Sequence, residues 1–472
     1  MSKSIMIMGC TSDAGKSFVV SVLCRIFANQ GQRVAPFKAQ NMSNNAAVTH
    51  EGGEMGRAQY LQAIAARVEP HTDFNPVLLK PQANVLSQVV VNGQVDHQLN
   101  AMEWHARKER LWPVVKACLD RLQKEYSLIL IEGAGSPAEV NLKKSDIVNF
   151  AVATHVEADV FLVADIDRGG AYAHLLGTFM CLTEAERLRV KGFVLNKFRG
   201  DESLLADAND WLYQQSGVPI VAVLPYTRHR LPEEDAFFHR SRAARGAVNM
   251  GLVMYPYASN LDEFDSLAYH DEVQLTVVRH VADLENLDAL ILPGAKHVAA
   301  AMQYLQEEGL DVGIRQFIDR GKSVLGICGG LQLLGREVID EFHVEGGSFR
   351  GLDILPLQTR FQKPKTTVRR MINWQADELS VYEIHQGESE ALEDSLEVFI
   401  EAGTGFRKGN VYASYLHGLF ENACFCRWFL QPLGVQFSQQ ANWYDFLDTE
   451  LDRLAMELQP RLEQIIDYGQ LT

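Results

Sequence analysis

The sequence predicts an α/β protein built as two doubly wound domains, and three observations carry that expectation. Apolar runs of strand length alternate with helical stretches up to about Tyr226. A polar, basic stretch over 239–246 then interrupts the rhythm, and the alternation restarts at Met250. Each half also contains a strand that runs into a glycine-rich turn bearing reactive side chains. The expected division is a first domain over 1–235, a linker over 236–249 and a second domain over 250–472.

At 472 residues the chain is too long for one hydrophobic core, so two or three domains are expected. Hydrophobic residues make up 47% and charged residues 22%, which excludes a disordered or fibrous class. No apolar run reaches the ~18 residues of a membrane helix, so no membrane insertion is expected. The opening segment passes from a short apolar stretch straight into a glycine-rich turn, and reads as a first strand and not a signal peptide. Seven cysteines are scattered without CxxC pairs, which argues against a disulfide framework or a zinc site and for a reducing, cytoplasmic setting. A formal charge of -16 disfavours nucleic acid as a partner, because a polyanion is repelled at long range. An anionic substrate would need a local basic patch.

In the first half, strands are expected over 4–8, 33–37, 128–131, 160–164, 192–195 and 220–223. The first is followed by Gly9-Cys10-Thr11-Ser12-Asp13-Ala14-Gly15-Lys16-Ser17 and by a periodic helix over 18–29. Phosphate binding requires that order. Loop N–H groups and a helix N-terminus surround the anion, Lys16 neutralises the terminal phosphates, and the Ser17 hydroxyl reaches Mg2+. The nucleotide-binding candidates are therefore Gly9, Thr11, Ser12, Asp13, Ala14, Gly15, Lys16 and Ser17, with ATP the expected ligand. The strand over 128–131 ends in Glu132, a carboxylate placed beside those phosphates. Glu132 and Ser17 are the expected metal ligands, with Asp13 a further candidate. Asn196 and Lys197 fall where a purine base would be held, although a strand-end cap explains them as well. Gln40, Asn41, Ser43, Asn45, Asp146, Asp165 and Arg168 lie on expected sheet-edge loops and are substrate-binding candidates, since amides both donate and accept hydrogen bonds. Turn chemistry competes for each, and an N-cap for Asp146.

In the second half, strands are expected over 250–254, 274–278, 289–292, 324–327, 397–400 and 411–416. Gly326-Ile327-Cys328-Gly329-Gly330 reads as strand, sharp turn and helix with a thiol at the apex, the thiol form of a nucleophile elbow. The helix start below it favours thiolate. Such a nucleophile needs a proton shuttle, and His417, at a strand end, is the chosen base; His385 is its rival. Gly294, in a turn after the strand over 289–292, and Gly329 are the expected oxyanion-hole donors. The acidic, amphipathic stretch over 443–468 is expected to pack on the second domain.

The five residues between Gly9 and Gly15, where an ordinary P-loop has four, resemble the dethiobiotin synthetase group of P-loop enzymes. That likeness implies ATP-dependent carboxylate chemistry. The Cys328 elbow with His417 resembles the class I glutamine amidotransferases, which implies a flavodoxin-like domain that strips ammonia from glutamine. Leu419 stands two positions after His417, where that family's usual triad has a glutamate; the corrin-amidating subgroup shares the dyad-like pattern. Thr11-Ser12-Asp13-Ala14-Gly15-Lys16-Ser17, Ala39-Gln40-Asn41-Met42-Ser43-Asn44, Glu132-Gly133-Ala134-Gly135-Ser136, Asp165-Ile166-Asp167-Arg168-Gly169-Gly170 and the elbow together resemble the cobyric acid synthase family over essentially the whole chain. That resemblance implies amidation of the b, d, e and g carboxylates of adenosylcobyrinic acid a,c-diamide in cobalamin biosynthesis, using ATP, Mg2+ and glutamine. The residues leave open an a,c-diamide synthase, an amidase of cell-wall precursors, or a partition-type ATPase with a degenerate second domain.

Overall fold

The computed structural model describes residues 2–83, 86–100, 102, 104–232, 248–436 and 442–470. The expected linker lies outside the described residues except for its last two, which already belong to a strand. The first domain is organised on six parallel strands: β1 (Lys3–Gly9), β2 (Val34–Phe37), β3 (Leu128–Glu132), β4 (Asp159–Asp165), β5 (Val190–Phe198) and β6 (Ile220–Pro225), in the spatial order β6-β5-β4-β1-β3-β2. Ile5, Met6, Ile7 and Met8 are all fully buried, as a strand covered on both faces demands. The strand order reverses around β1, so the loop leaving it opens into the crevice where open α/β sheets bind ligands. That loop feeds helix α1 (Lys16–Asn29).

Segments read as polar edge loops prove to be partly extended. Gln40–Met42, Val77–Ala83, Leu86–Val91 and Gln94–Val95 form a separate four-stranded sheet, and helix α2 (Arg57–Ala65) lies in the chain between its first two strands. Alternating polar residues disguise these strands, because their inward side chains include charged and amide groups such as Lys80 and Gln88.

The second domain is a seven-stranded sheet of β7 (Val248–Val253), β8 (Val273–Val278), β9 (Ala289–Leu292), β10 (Ser323–Ile327), β13 (Glu397–Val398), β14 (Gly405–Lys408) and β15 (Val411–Ser414). Its order is β8-β7-β9-β10-β15-β14-β13, parallel up to β15 and antiparallel beyond it. A long antiparallel hairpin, β11 (Leu357–Trp374) and β12 (Asp377–Ala391), leaves this body and leans on the first domain. There Tyr382 and Ile384 share an apolar cluster with Ala46, Val48, Leu78 and Val90, and Lys365 and Arg369 bond to Glu54 and Tyr60.

The C-terminal helix corrects the expectation for 443–468. Helix α4 (Trp443–Leu458) packs on the first domain, where Leu447, Leu451, Leu454 and Leu458 join Val19, Val22, Leu23 and Ile26 of α1 in one cluster. Its acidity has a specific complement: the fully buried Arg25 meets Asp448 at 2.6 Å and Asp452 at 3.3 Å. No helix among the described residues is long and apolar enough to cross a membrane.

Candidate functional site

Two cavities lie at the carboxyl ends of the two sheets. In the first, the loop after β1 turns at Gly15, whose φ of 94° suits glycine and few other residues. Asn196 Nδ2 donates to Ala14 O at 3.0 Å, and Lys197 Nζ to Asp13 O at 3.2 Å, so both residues from β5 brace the loop. Glu132, 1% exposed at the end of β3, is the hub. Its Oε1 accepts from Ser17 Oγ at 2.8 Å and Lys38 Nζ at 2.9 Å, and its Oε2 from Gln62 Nε2 at 2.6 Å. Burial alone would raise its pKa, but Lys38, Lys16 and Ser17 hold it below the usual carboxylate range. A hydroxyl and a carboxylate in contact beside a phosphate loop are the hard oxygen donors Mg2+ accepts. Asp13 does not join that pair: its carboxylate is ion-paired with Arg168 at 3.2 Å.

The cavity here measures about 1140 Å³, above the ~300–1,000 Å³ of an ordinary small-ligand pocket. Lys16, Lys38, Arg57, Lys143, Arg168 and Lys197 line it, which is the local basic patch that an anionic substrate needs in so acidic a chain. Ser12, Asp13, Gly15, Lys16, Ser17, Asn196 and Lys197 line it too, whereas Gly9, Thr11 and the fully buried Ala14 do not. Of the substrate-binding candidates, Gln40, Asn41, Asn45, Asp146, Asp165 and Arg168 face it. Ser43 does not, because its hydroxyl accepts the Asn45 N–H at 3.0 Å. Asp146 also serves as a cap, its carboxylate accepting the N–H groups of Val148, Asn149 and Ala151 at 2.8 to 3.0 Å. Asn45 crosses to the other domain, accepting the Leu261 N–H at 3.1 Å, and Asn260 returns the contact to Ala46.

In the second cavity, Cys328 sits at φ 52° and ψ -105°, a strained conformation at the turn between β10 and the short helix α3 (Gly329–Leu334). The turn is possible because its neighbours are glycines: a Cβ at Gly330 would lie 2.0 Å from Leu292 O. His417 lines the same cavity and is 1% exposed. Its Nδ1 lies 2.7 Å from Glu263 Oε1, and Glu263 Oε2 accepts the Gly418 N–H at 2.9 Å. Burial alone would lower the imidazole pKa; the Glu263 carboxylate, with Cys328, carries it up to about 10. Nε2 has no hydrogen-bond partner of ordinary geometry and is left toward the thiol. His385 also borders the cavity, but both of its nitrogens are engaged, by Gly387 O at 2.8 Å and Glu383 at 3.2 Å. Gly294 lies against the imidazole and Gly329 against Ala295; of these three it is Ala295, and neither expected oxyanion-hole glycine, that lines the thiol cavity.

Between the cavities stands a buried charge lattice that sequence reasoning missed. Arg57, at the start of α2, pairs with Asp262 at 2.6 Å and with Glu421. Asp262 lines the first cavity and neighbours Glu263 of the second. Burial raises the Asp262 pKa to about 6 against the pull of Arg57, with Glu421 and Glu263 adding to the rise. Glu263 lies 154 positions before His417, so no local spacing betrays it. The one available signal was an acidic pair set among the apolar residues Leu261 and Phe264.

Residues 5–236 match the CobQ/CobB/MinD/ParA nucleotide binding domain family, and residues 249–425 the CobB/CobQ-like glutamine amidotransferase domain family. The chain is 47% identical to a cobyric acid synthase of Acidovorax sp. (strain JS42), over 90% of this chain and 91% of that protein. It is 46% identical to that of Deinococcus radiodurans, over 97% and 98% of the two chains. The chain belongs to the cobyric acid synthase family. Membership in the cobyric acid synthase family accounts for both cavities in one molecule, one built for a nucleotide and one around a thiol.

Proposed function

We propose that the chain amidates the b, d, e and g carboxylates of adenosylcobyrinic acid a,c-diamide, consuming one ATP and one glutamine for each amide. The observation that carries this reading is the pairing of a buried Cys328–His417–Glu263 array with a large basic P-loop cavity whose lining includes Asp262, the residue next to Glu263.

On this reading His417, oriented by Glu263, takes the Cys328 proton, and the thiolate attacks the side-chain amide of glutamine. The oxyanion that forms faces the Gly329 N–H and the backbone at Gly294 and Ala295. His417 returns the proton to the departing ammonia, and water then releases glutamate from the thioester. In the other cavity a corrin carboxylate attacks the terminal phosphate of ATP, because a carboxylate resists ammonia until its oxygen becomes a leaving group. Lys16 and Lys38 neutralise the phosphates there. Ser17 and Glu132 would hold Mg2+, which when bound supplies further charge neutralisation. Free ammonia is mostly protonated at neutral pH, so it must reach the acyl phosphate without entering bulk water. Asp262, whose carboxyl burial raises to about 6, lines the nucleotide cavity and is the acceptor assigned to the proton ammonia loses on acylation.

The test is to incubate purified protein with ATP, glutamine and each of cobyrinic acid, its a,c-diamide and a cell-wall muropeptide, and to count the amides added by mass. Four amides on the a,c-diamide are expected. Amidation at only the a and c positions of cobyrinic acid, or of the muropeptide alone, would replace this reading with one of the alternatives.

A further inference from the structure

The cavity around Cys328 contains charge that thiol chemistry leaves unused. Besides Cys328, His417 and Gln332, it is lined by Lys80, Lys296, Lys365 and Glu345. Two of the lysines are accounted for: Lys80 lies 2.7 Å from Glu54, and Lys365 pairs with the same carboxylate. Those contacts join the first domain to β11 and build one wall of the cavity. Lys296 and Glu345 are different. Neither side chain makes an ion pair or a hydrogen bond among the described residues, although Lys296 is only 6% exposed and Glu345 is half-buried. A desolvated ammonium that the carboxylates of Glu345 and Glu54 reach only through space, with no hydrogen-bonded ion pair, is costly, so its retention beside a reactive thiol points to a ligand that completes the pairing.

Both residues are held in place by backbone contacts that leave their side chains available. Lys296 directly follows Gly294-Ala295, and its N–H donates to Tyr257 O at 2.8 Å. Glu345 sits on a loop organised by the buried Asp340, whose carboxylate accepts the N–H groups of Val344, Glu345 and Gly347 at 2.8, 2.9 and 3.0 Å. Burial holds the Lys296 ammonium below its ordinary range and lifts Glu345 to about 7, both toward the neutral form. A zwitterion bound between them would reverse both shifts.

Glutamine has one reactive amide and two charged groups at its α-carbon. Once the amide reaches Cys328, those two charges come against the lining of the same cavity, which at about 20 Å³ must widen to admit them, and each needs a partner there. We infer that Lys296 binds the α-carboxylate and Glu345 the α-ammonium of glutamine, so that this pair selects an α-amino acid over a simple amide. The inference rests on the glutaminase reading of Cys328. It adds that the selecting groups are separate from the reacting ones.

The test uses the full chain with Lys296→Gln, Glu345→Gln and Lys296→Arg, measuring glutamine-driven and ammonium-driven synthesis side by side. Loss of a charge-assisted contact should raise the glutamine KM by about tenfold or more in the two neutral variants. Lys296→Arg should recover part of that loss, and ammonium-driven turnover should stay within about twofold of wild type in all three. Glutaramic acid, which lacks the α-amino group, should be a poor donor for wild type, and Glu345→Gln should narrow its disadvantage against glutamine by about tenfold. Glutamine KM values within about twofold of wild type in both neutral variants, or loss of ammonium-driven turnover along with glutamine use, would overturn the inference. Failure of the underlying reading shows separately, as continued glutamine use by Cys328→Ala.

Discussion

Replacing Glu263 with Gln tests how the imidazole is oriented. In the wild type one carboxylate oxygen takes His417 Nδ1–H at 2.7 Å and the other takes Gly418 N–H at 2.9 Å, two donors on two acceptors. Glutamine has one acceptor oxygen and one NH2 group in the same space. If its oxygen stays with Gly418, its NH2 faces Nδ1 and forces the tautomer that carries hydrogen on Nε2. That tautomer cannot accept the Cys328 proton. If the amide flips, the Gly418 N–H meets a donor inside the core. Either arrangement removes the charge that, with Cys328, carries His417 up to about 10. By comparison with triads in which the orienting acid is neutralised, glutaminase turnover should fall by ~10³ to 10⁴, or ~4 to 5 kcal/mol of barrier. Glutamate release reads the loss, and ammonium-driven amidation in the same preparation should remain within about twofold. A variant retaining more than about a third of wild-type glutaminase activity would refute the positioning argument. The pair also sets a pH dependence. A folded-state imidazole pKa raised from 6.5 to about 10 contributes stability that is fully present below 6.5 and is lost as pH rises through about 10. The gap in unfolding midpoint between wild type and Glu263→Ala should therefore close across that interval.

Lys16→Ala should abolish amidation from glutamine and from ammonium alike, because the phosphates lose their main counter-charge; normal ammonium-driven turnover would show that the nucleotide binds elsewhere. Arg57→Ala leaves Asp262 and Glu421 buried without their partner, at a cost of ~3–5 kcal/mol, so the unfolding midpoint should drop and more glutamine should be consumed per amide formed. An unchanged midpoint with an unchanged ratio would contradict the role given to this lattice. Gly330→Ala places a methyl group 2.0 Å from Leu292 O, so glutaminase activity should be lost while ammonium-driven synthesis persists; normal glutamine use would mean that the elbow tolerates what its geometry forbids.

The sequence was most informative where chemistry and local geometry coincide. A strand, a glycine loop and Lys16-Ser17 must bind phosphate in one way, and a thiol between glycines after a buried strand must form an elbow, so both sites were legible from a few consecutive residues. What escaped depends on contacts between distant segments. Glu263 meets His417 only because two loops of the second sheet converge, and the missing glutamate at Leu419 suggested a dyad where the fold supplies an acid from elsewhere. The hairpin β11–β12 was hidden because its charged residues answer partners on the other domain, Lys365 to Glu54 and Arg369 to Tyr60. The acidic face of α4 was assigned to the wrong domain for the same reason: its complement, Arg25, is a lone cation among the apolar residues Leu23, Cys24, Ile26 and Phe27 of a distant helix. Asn45, read as a substrate contact, has a second duty in joining the domains.

The account turns on nitrogen passing from the thiol cavity to the nucleotide cavity without mixing with solvent. The most direct measurement supplies wild-type protein with ATP, adenosylcobyrinic acid a,c-diamide, glutamine carrying nitrogen-15 in its side-chain amide, and excess unlabelled ammonium, and weighs the product. Nitrogen-15 enrichment of the product well above that of the mixed solvent pool is predicted, with Cys328→Ala giving only unlabelled product under the same conditions. Wild-type product labelled no more than the mixed solvent pool would contradict it.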